Sequence, residues 1–184
     1  EQAKYLIEIL PDGGPIYELQ GQPGATPAID RHKGLDDILS QQDKIEVVVS
    51  QTAEFARANA VQVMESALAG NPEPLAVVCA NDDMAFGVVE VMANEGLSVP
   101  ILGFDALPEA LVDINDGKMA ATVEQFPGKQ ATTAMDILLA FIKDGTKPAE
   151  HNTYLDPVLI TKSNLDQAER AAEAGLVAAA TPSA

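Results

Sequence analysis

Twice in this chain an apolar run of strand length ends abruptly on a polar residue. Leu75-Ala-Val-Val-Cys-Ala runs into Asn81-Asp82-Asp83-Met84-Ala-Phe-Gly87, and Val99-Pro-Ile-Leu-Gly-Phe runs into Asp105. A strand covered by helices on both faces reads as such a near-continuous apolar stretch. Strand-like segments at 15–20, 45–50, 75–80, 99–104 and 119–123 alternate with helix-like ones at 28–41, 55–69, 82–94 and 108–116. That alternation implies βαβ units with right-handed crossovers. The expected fold is therefore α/β: an open parallel sheet of about five strands with helices on both faces. In such sheets ligands bind outside the carboxyl ends of the strands, which is where Asn81 and Asp105 fall.

The flanking segments complete the plan. A helical opening over 3–10 is stopped by Pro11-Asp-Gly-Gly14, and the helix over 55–69, with Val61, Met64, Ala67 and Leu68 on one face, stops at Gly70-Asn-Pro72. After Pro127 the pattern changes. Residues 129–143 read as one amphipathic helix with Ala131, Met135, Leu138, Leu139 and Ile142 inward, ended by Asp144-Gly-Thr-Lys-Pro148. Residues 157–162 read as a final strand, and Ser163-Asn164 as the cap of a last helix through Gly175. The Ala-rich remainder 177–184 reads as a frayed end.

Composition narrows the function classes. At 184 residues and 47% hydrophobic the chain can bury the core of one domain. No apolar stretch approaches the ~20 residues of a membrane-spanning helix. A net charge of −17 argues against nucleic acid or an anionic lipid surface, since both recruit clustered Lys and Arg. The lone Cys79, inside an apolar strand, reads as a buried inert thiol. His32 and His151 have no ligand spacing around them, so neither a zinc site nor another cofactor is expected. The nucleophile elbow, the phosphate-binding loop and the dinucleotide fingerprint are missing. The chain opens on Glu1 without a basic-apolar leader, which predicts a processed or truncated chain.

Several polar residues admit more than one reading. Asn81-Asp82-Asp83 can cap the following helix, hold a ligand through the donating and accepting Asn81 amide, or hold Mg²⁺. Adjacent side chains seldom converge on one centre, which counts against the metal. Asp105 can cap the next helix or accept two hydroxyl hydrogen bonds. Arg31 lies early in a helix, where the dipole disfavours a cation, so it either pairs with Asp30 or Asp36 or serves a ligand. Gln125 interrupts a strand exit before Phe126-Pro127, and Phe55 follows the second strand as a core residue or a stacking platform. Taken together, two amides, a carboxylate and a guanidinium fall on one sheet edge. Such a set suits holding a neutral polyhydroxylated molecule rather than transforming one.

The order of motifs resembles a known family. Glu18-Leu-Gln-Gly21, Pro27-Ala-x-x-Arg31-x-x-Gly34, Ala80-Asn-Asp-Asp-Met-Ala-Phe-Gly87, Gly103-Phe104-Asp105, Asn115-Asp-Gly-Lys-Met-Ala-Ala-Thr-Val-Glu-Gln125 and Val158-Leu-Ile-Thr-Lys resemble the ribose-type periplasmic sugar-binding proteins. These belong to the type 1 periplasmic binding protein superfamily, whose architecture the lactose-repressor effector domains share. The resemblance runs from about Glu1 to Asn164 and implies two α/β lobes that close on a sugar. It assigns ligand binding to Arg31, Phe55, Asn81, Asp105 and Gln125, and leaves Asp82 and Asp83 as caps.

Carried further, the resemblance divides the chain. Residues 1–126 would be the C-terminal ligand-binding lobe, and 127–148 a helix that normally returns to a missing N-terminal lobe. Residues 149–165 would bring the final strand back, with 166–184 a terminal helix and tail. Without its partner lobe the helix 129–143 should expose an apolar stripe and could mediate self-association. The implied function is the non-enzymatic solute-binding component of a sugar ABC transporter outside the cytoplasm, with a small sugar or polyol and a membrane permease as partners. The alternative is the effector-binding domain of a lactose-repressor-type regulator. A more distant one is an α/β enzyme using Asp105.

Overall fold

The computed structural model describes residues 1–178. In chain order its elements are α1 (Gln2–Ile9), β1 (Gly14–Gln20), α2 (Thr26–Leu39), β2 (Ile45–Thr52), α3 (Arg57–Gly70), β3 (Ala76–Cys79) and α4 (Asp82–Asn94). There follow β4 (Ile101–Leu102), α5 (Pro108–Asn115), β5 (Ala121–Glu124), α6 (Pro127–Asp144), β6 (Val158–Thr161) and a single 3₁₀ turn at Leu165–Gln167. The strands form one sheet in the order β2-β1-β3-β4-β5-β6. The first five are parallel, as the alternation predicts, and β6 closes the edge antiparallel to β5.

Both faces of the sheet are covered. Ile16, Val78 and Leu102 face Leu6 of α1 and Leu35 and Leu39 of α2. Tyr17, Leu19, Val77 and Cys79 face Met64 of α3 and Met84 and Val88 of α4. Neighbouring strand residues thus point to opposite layers, as the two-residue strand period requires. Cys79 is buried, and burial pushes its thiol far up from its usual range. The strand order reverses between β1 and β3, the position at which ligands sit in sheets of this order. Beyond the short β4 the ladder continues. Gly103 N donates to Ala121 O and Asp105 N to Val123 O, each at 2.9 Å.

Several local expectations are corrected. The third helix begins at Arg57 and not at residue 55, because Glu54 (φ 57°) and Phe55 (φ 61°) occupy the left-handed region. The final helix through Gly175 does not form: a 3₁₀ turn and further turns replace it. Asn164, the expected cap, faces backwards, its Oδ1 accepting from Thr161 N at 2.8 Å and its Nδ2 donating to Leu159 O at 3.0 Å. It therefore closes a turn after β6 and has no free oxygen for a helix start. Ala168 and Ala171 pack beneath it with Ile160, Ala106 and Leu111. Of the stretch expected to fray, 179–184 lie outside the described residues.

The inward face expected for α6 is not buried. Met135 is 53% exposed, Leu138 49%, Leu139 54% and Ile142 69%, and no residue of this helix is buried. An apolar stripe of this size meets no partner within residues 1–178. Urea unfolding should therefore separate two leucines. Leu102→Ala, in the covered sheet, should cost about 2–5 kcal/mol. Leu139→Glu should change stability by no more than about 0.5 kcal/mol. Similar costs at the two positions would show that α6 is packed in solution.

Candidate ligand-binding site

Each candidate side chain leaves the carboxyl end of a strand or the helix beside it. Arg31 lies on α2 after β1, Phe55 follows β2, Asn81 follows β3, Asp105 follows β4 and Gln125 follows β5. A parallel sheet brings these positions to one edge although 94 residues separate the first from the last. The structure brings all five together. Gln125 Nε2 donates to Asp105 Oδ1 at 2.7 Å, and Arg31 Nη2 lies 3.4 Å from the same oxygen. Arg31 Nη1 donates to Ala80 O, at the end of β3. Its guanidinium carbon stands 3.7 Å from the centre of the Phe104 ring and 5.8 Å from that of Phe55. Neither Asp30 nor Asp36 is its partner.

Asn81 serves the fold as well as the edge. Its extended backbone ends β3, its Oδ1 accepts from Met84 N at 3.0 Å as the N-cap of α4, and its Nδ2 donates to Phe55 O at 3.2 Å. The capping role expected of Asp82 therefore belongs to Asn81, while Asp83 is exposed in the first turn. Phe55 lies flat against Gly21, where an added Cβ would come within 2.1 Å of the ring. Only glycine lets the ring reach that depth.

Backbone strain concentrates at the same edge. Glu54, Phe55, Asp105 (φ 116°), Ala106 (φ 50°) and Phe126 (φ 55°) are the non-glycine residues with positive φ among those described, and they follow β2, β4 and β5. Such conformations cost of order 1–3 kcal/mol each and persist only where surrounding contacts impose them. At Asp105 and Ala106 those contacts start from Asp82. Its carboxylate accepts from Leu107 N at 2.8 Å and from the Thr122 hydroxyl at 2.7 Å, and Thr122 Oγ1 accepts in turn from Ala106 N at 3.2 Å. Gly103 makes room, since a Cβ there would come within 2.1 Å of Asp82 Oδ1.

Further site residues have no conspicuous signature in the sequence. Gln2 Nε2 donates to Cys79 O at 3.0 Å and Gly103 O at 2.8 Å, tying α1 to the ends of β3 and β4. Glu124, fully buried, accepts from Phe126 N at 2.7 Å and from Glu169 N at 2.9 Å. Arg170, from the segment after β6, donates to Asp105 O. The available signal was a charged residue continuing an apolar strand at Glu124 and an arginine in an otherwise Ala/Glu-rich stretch at 170. Neither points to a site on its own.

The electrostatics are balanced within the cluster. Burial lifts the Asp105 carboxyl above its usual range, while Arg31 and then Arg170 pull it back down. Burial likewise lowers Arg31, opposed by Asp105. Both bonds that Asp105 receives on its side chain fall on Oδ1; among the described residues none falls on Oδ2. The edge is open. A pocket of about 220 Å³ lined by Gln2, Asp30, Arg31, Leu35, Phe104 and others shares only Arg31 with the five candidates.

Asp82 carries a testable consequence. Burial raises its carboxyl to about 7 against a usual value of 3.8. The folded state then binds more protons than the unfolded chain between those values, so stability falls as pH rises through that window. Asp82→Asn should flatten this slope between about pH 4 and 7 in a series of urea melts. An unchanged slope would show that the carboxylate titrates normally.

Comparison with known proteins places these features. The family described as periplasmic binding protein domain matches residues 1–147. The ribose import binding protein RbsB of Bacillus subtilis is 39% identical over 140 residues, 74% of this chain and 45% of that protein. The D-allose-binding periplasmic protein of Escherichia coli is 31% identical over 87% of this chain and 54% of its own length. Among solved structures, the Caulobacter myo-inositol binding protein bound to myo-inositol superposes with a TM-score of 0.82 at 37% identity, covering 94% of this chain and 60% of that one. A periplasmic solute-binding protein of an ABC transporter from Actinobacillus succinogenes, with bound D-allose, gives 0.83 at 31% identity, covering 89% and 57%. The chain spans about half the length of the curated relatives it matches. No helix among the described residues is long and apolar enough to cross a membrane. With its fold, its sheet-edge polar cluster and the match over residues 1–147 in agreement, the chain belongs to the periplasmic binding protein domain family.

Proposed function

We propose that this chain is the C-terminal lobe of a solute-binding protein that captures a monosaccharide or polyol outside the cytoplasm and delivers it to an ABC permease. The observation that carries the reading is Asp105: Arg31 and Gln125 hold one carboxylate oxygen, and among the described residues no hydrogen bond falls on Oδ2. A carboxylate held in this way accepts adjacent sugar hydroxyls at its remaining lone pairs. Arg31 and Gln125 offer further donors, and Phe55 supplies an apolar face for a sugar ring. Asn81 adds an amide at the same edge, held by its bond to Phe55 O. Supporting the solute class, the relatives' names include ribose and D-allose, and solved structures hold D-allose and myo-inositol.

The polar set serves binding and not turnover. The relatives are named as binding proteins, which favours a transport component over both the regulator and the enzyme. In this reading residues 1–126 with the returning strand form one lobe, and α6 runs to a second lobe that supplies the other half of the contacts. The apolar stripe of α6 would be covered by that lobe, or by a second copy of the chain in its absence.

Calorimetric titration with a panel of monosaccharides and polyols tests this directly, on the chain alone and on a form carrying the second lobe. The two-lobed form should bind one sugar at micromolar Kd or better, and the single lobe far more weakly. Asp105→Ala should weaken binding by about 100-fold or more, as expected for losing two charge-assisted hydrogen bonds. Binding should also fade on acidification, at a pH above the usual carboxylate range, because burial holds Asp105 up. Failure of the two-lobed form to bind any of these sugars would sink the proposal.

A further inference from the structure

The segment after β6 reaches the candidate site from a part of the sequence that none of the motifs covers. Arg170 donates from Nη2 to the backbone carbonyl of Asp105, 65 residues away in sequence. Its Nε is buried and has no hydrogen-bond partner among the described residues. A buried guanidinium donor without a partner is costly unless position or ligand compensates it. Its neighbour Glu169 faces the other way. The Glu169 carboxylate accepts from Gly128 N at 2.8 Å and Lys129 N at 2.9 Å, two of the orphan donors in the first turn of α6. Its own N–H donates to the buried Glu124.

We propose that Arg170 is a positioning residue for the sugar-binding carboxylate Asp105, and that Glu169 beside it ties the same loop to the start of α6. The inference rests on the sugar-binding reading of Asp105 and adds a residue to it. Arg170 holds the carbonyl of a residue whose backbone is left-handed, so it helps fix the direction in which the carboxylate leaves the chain. Its positive charge also pulls the Asp105 carboxyl down, second to that of Arg31. The charged groups that face Asp105 are Arg31 from α2, Asp82 and Asp83 from the start of α4 and Arg170 from the terminal segment, with the neutral Gln125 after β5. Arg170 also pulls down the buried Asp82, which lies under the same loop. Glu169 and Arg170 are adjacent, so a change in the direction of α6 at its first turn is transmitted to the Asp105 loop through one peptide unit.

The test follows the Asp105 carboxyl by ¹³C NMR through a pH titration of the 184-residue chain without sugar. Arg170→Gln should raise its titration midpoint by about one unit, the order expected for losing a nearby opposite charge. Arg170→Lys should leave it close to wild type. A midpoint left unmoved by Arg170→Gln would overturn the proposal. Should Arg170→Gln not fold, the wild-type chain still decides: the Arg170 ¹⁵Nε resonance should move with the Asp105 titration, and a flat resonance would refute it. In the two-lobed form, Arg170→Gln should loosen the sugar about tenfold and Arg170→Lys by less. Because the carboxyl titration needs no ligand, its outcome stands apart from whether any sugar binds.

Discussion

Asp82 has no exposed surface, yet it joins three parts of the chain that the sheet alone would leave apart. It sits in the first turn of α4, where the helix dipole favours an anion, and its two oxygens reach the loop after β4 and the side chain of β5. Desolvation opposes its charge, and two hydrogen bonds offset part of that cost. Removing the carboxylate would leave Leu107 N and the Thr122 hydroxyl without their acceptor, at about 1–3 kcal/mol for each buried group. The left-handed backbone of Asp105 and Ala106 depends on that arrangement. So, through it, does the direction in which the Asp105 carboxylate leaves the chain.

The charge pattern around that carboxylate also speaks to the solute. The chain has 28 acidic against 11 basic residues, yet two of the arginines gather at this edge. They are not free to meet an anion. Arg31 is matched by Asp105 and stacked on Phe104, and Arg170 is engaged by the Asp105 carbonyl with Asp82 beneath. A phosphate would meet the charge of Asp105, with Asp83 beside it and the buried Asp82 beneath, as well as that of the two guanidinium groups. Such a neutralised field favours a ligand that offers hydroxyls without net charge.

What the sequence disclosed and what it hid divide along physical lines. The covered strands were legible because burial on both faces demands unbroken apolar runs such as Leu75-Ala-Val-Val-Cys-Ala, and the site was legible because a polar residue ends each run. Position in a parallel sheet then converts chain order into spatial convergence, so Arg31, Asn81, Asp105 and Gln125 could be placed together without coordinates. The hidden parts depend on where a side chain turns. Asn164 carries the composition of a helix cap but bonds back to β6, which removes the last helix. Asp82 looks like a cap in a capping sequence, yet Asn81 takes that bond and frees Asp82 for partners 25 and 40 residues away. Glu169 and Arg170 are ordinary polar residues until the chain folds back, and no local periodicity records that return.

The position of α6 connects these observations to the two-lobe reading. The helix starts two residues after Gln125, at the same edge as the candidate site, and its first turn is held by Glu169 and by the left-handed Phe126. Its apolar stripe, by contrast, is covered by nothing within residues 1–178. Fully burying each of Leu138, Leu139 and Ile142 would contribute about 1.5–3 kcal/mol, enough to favour a partner surface over water. A body that covers this helix is anchored beside the candidate site. On the two-lobe reading, holding the second lobe in place and completing the sugar site are therefore mechanically linked at Gln125-Phe126. On the same reading Gln125, the proposed amide donor, stands just before the Phe126 cap of α6, so that closure of the lobes would be felt by the solute.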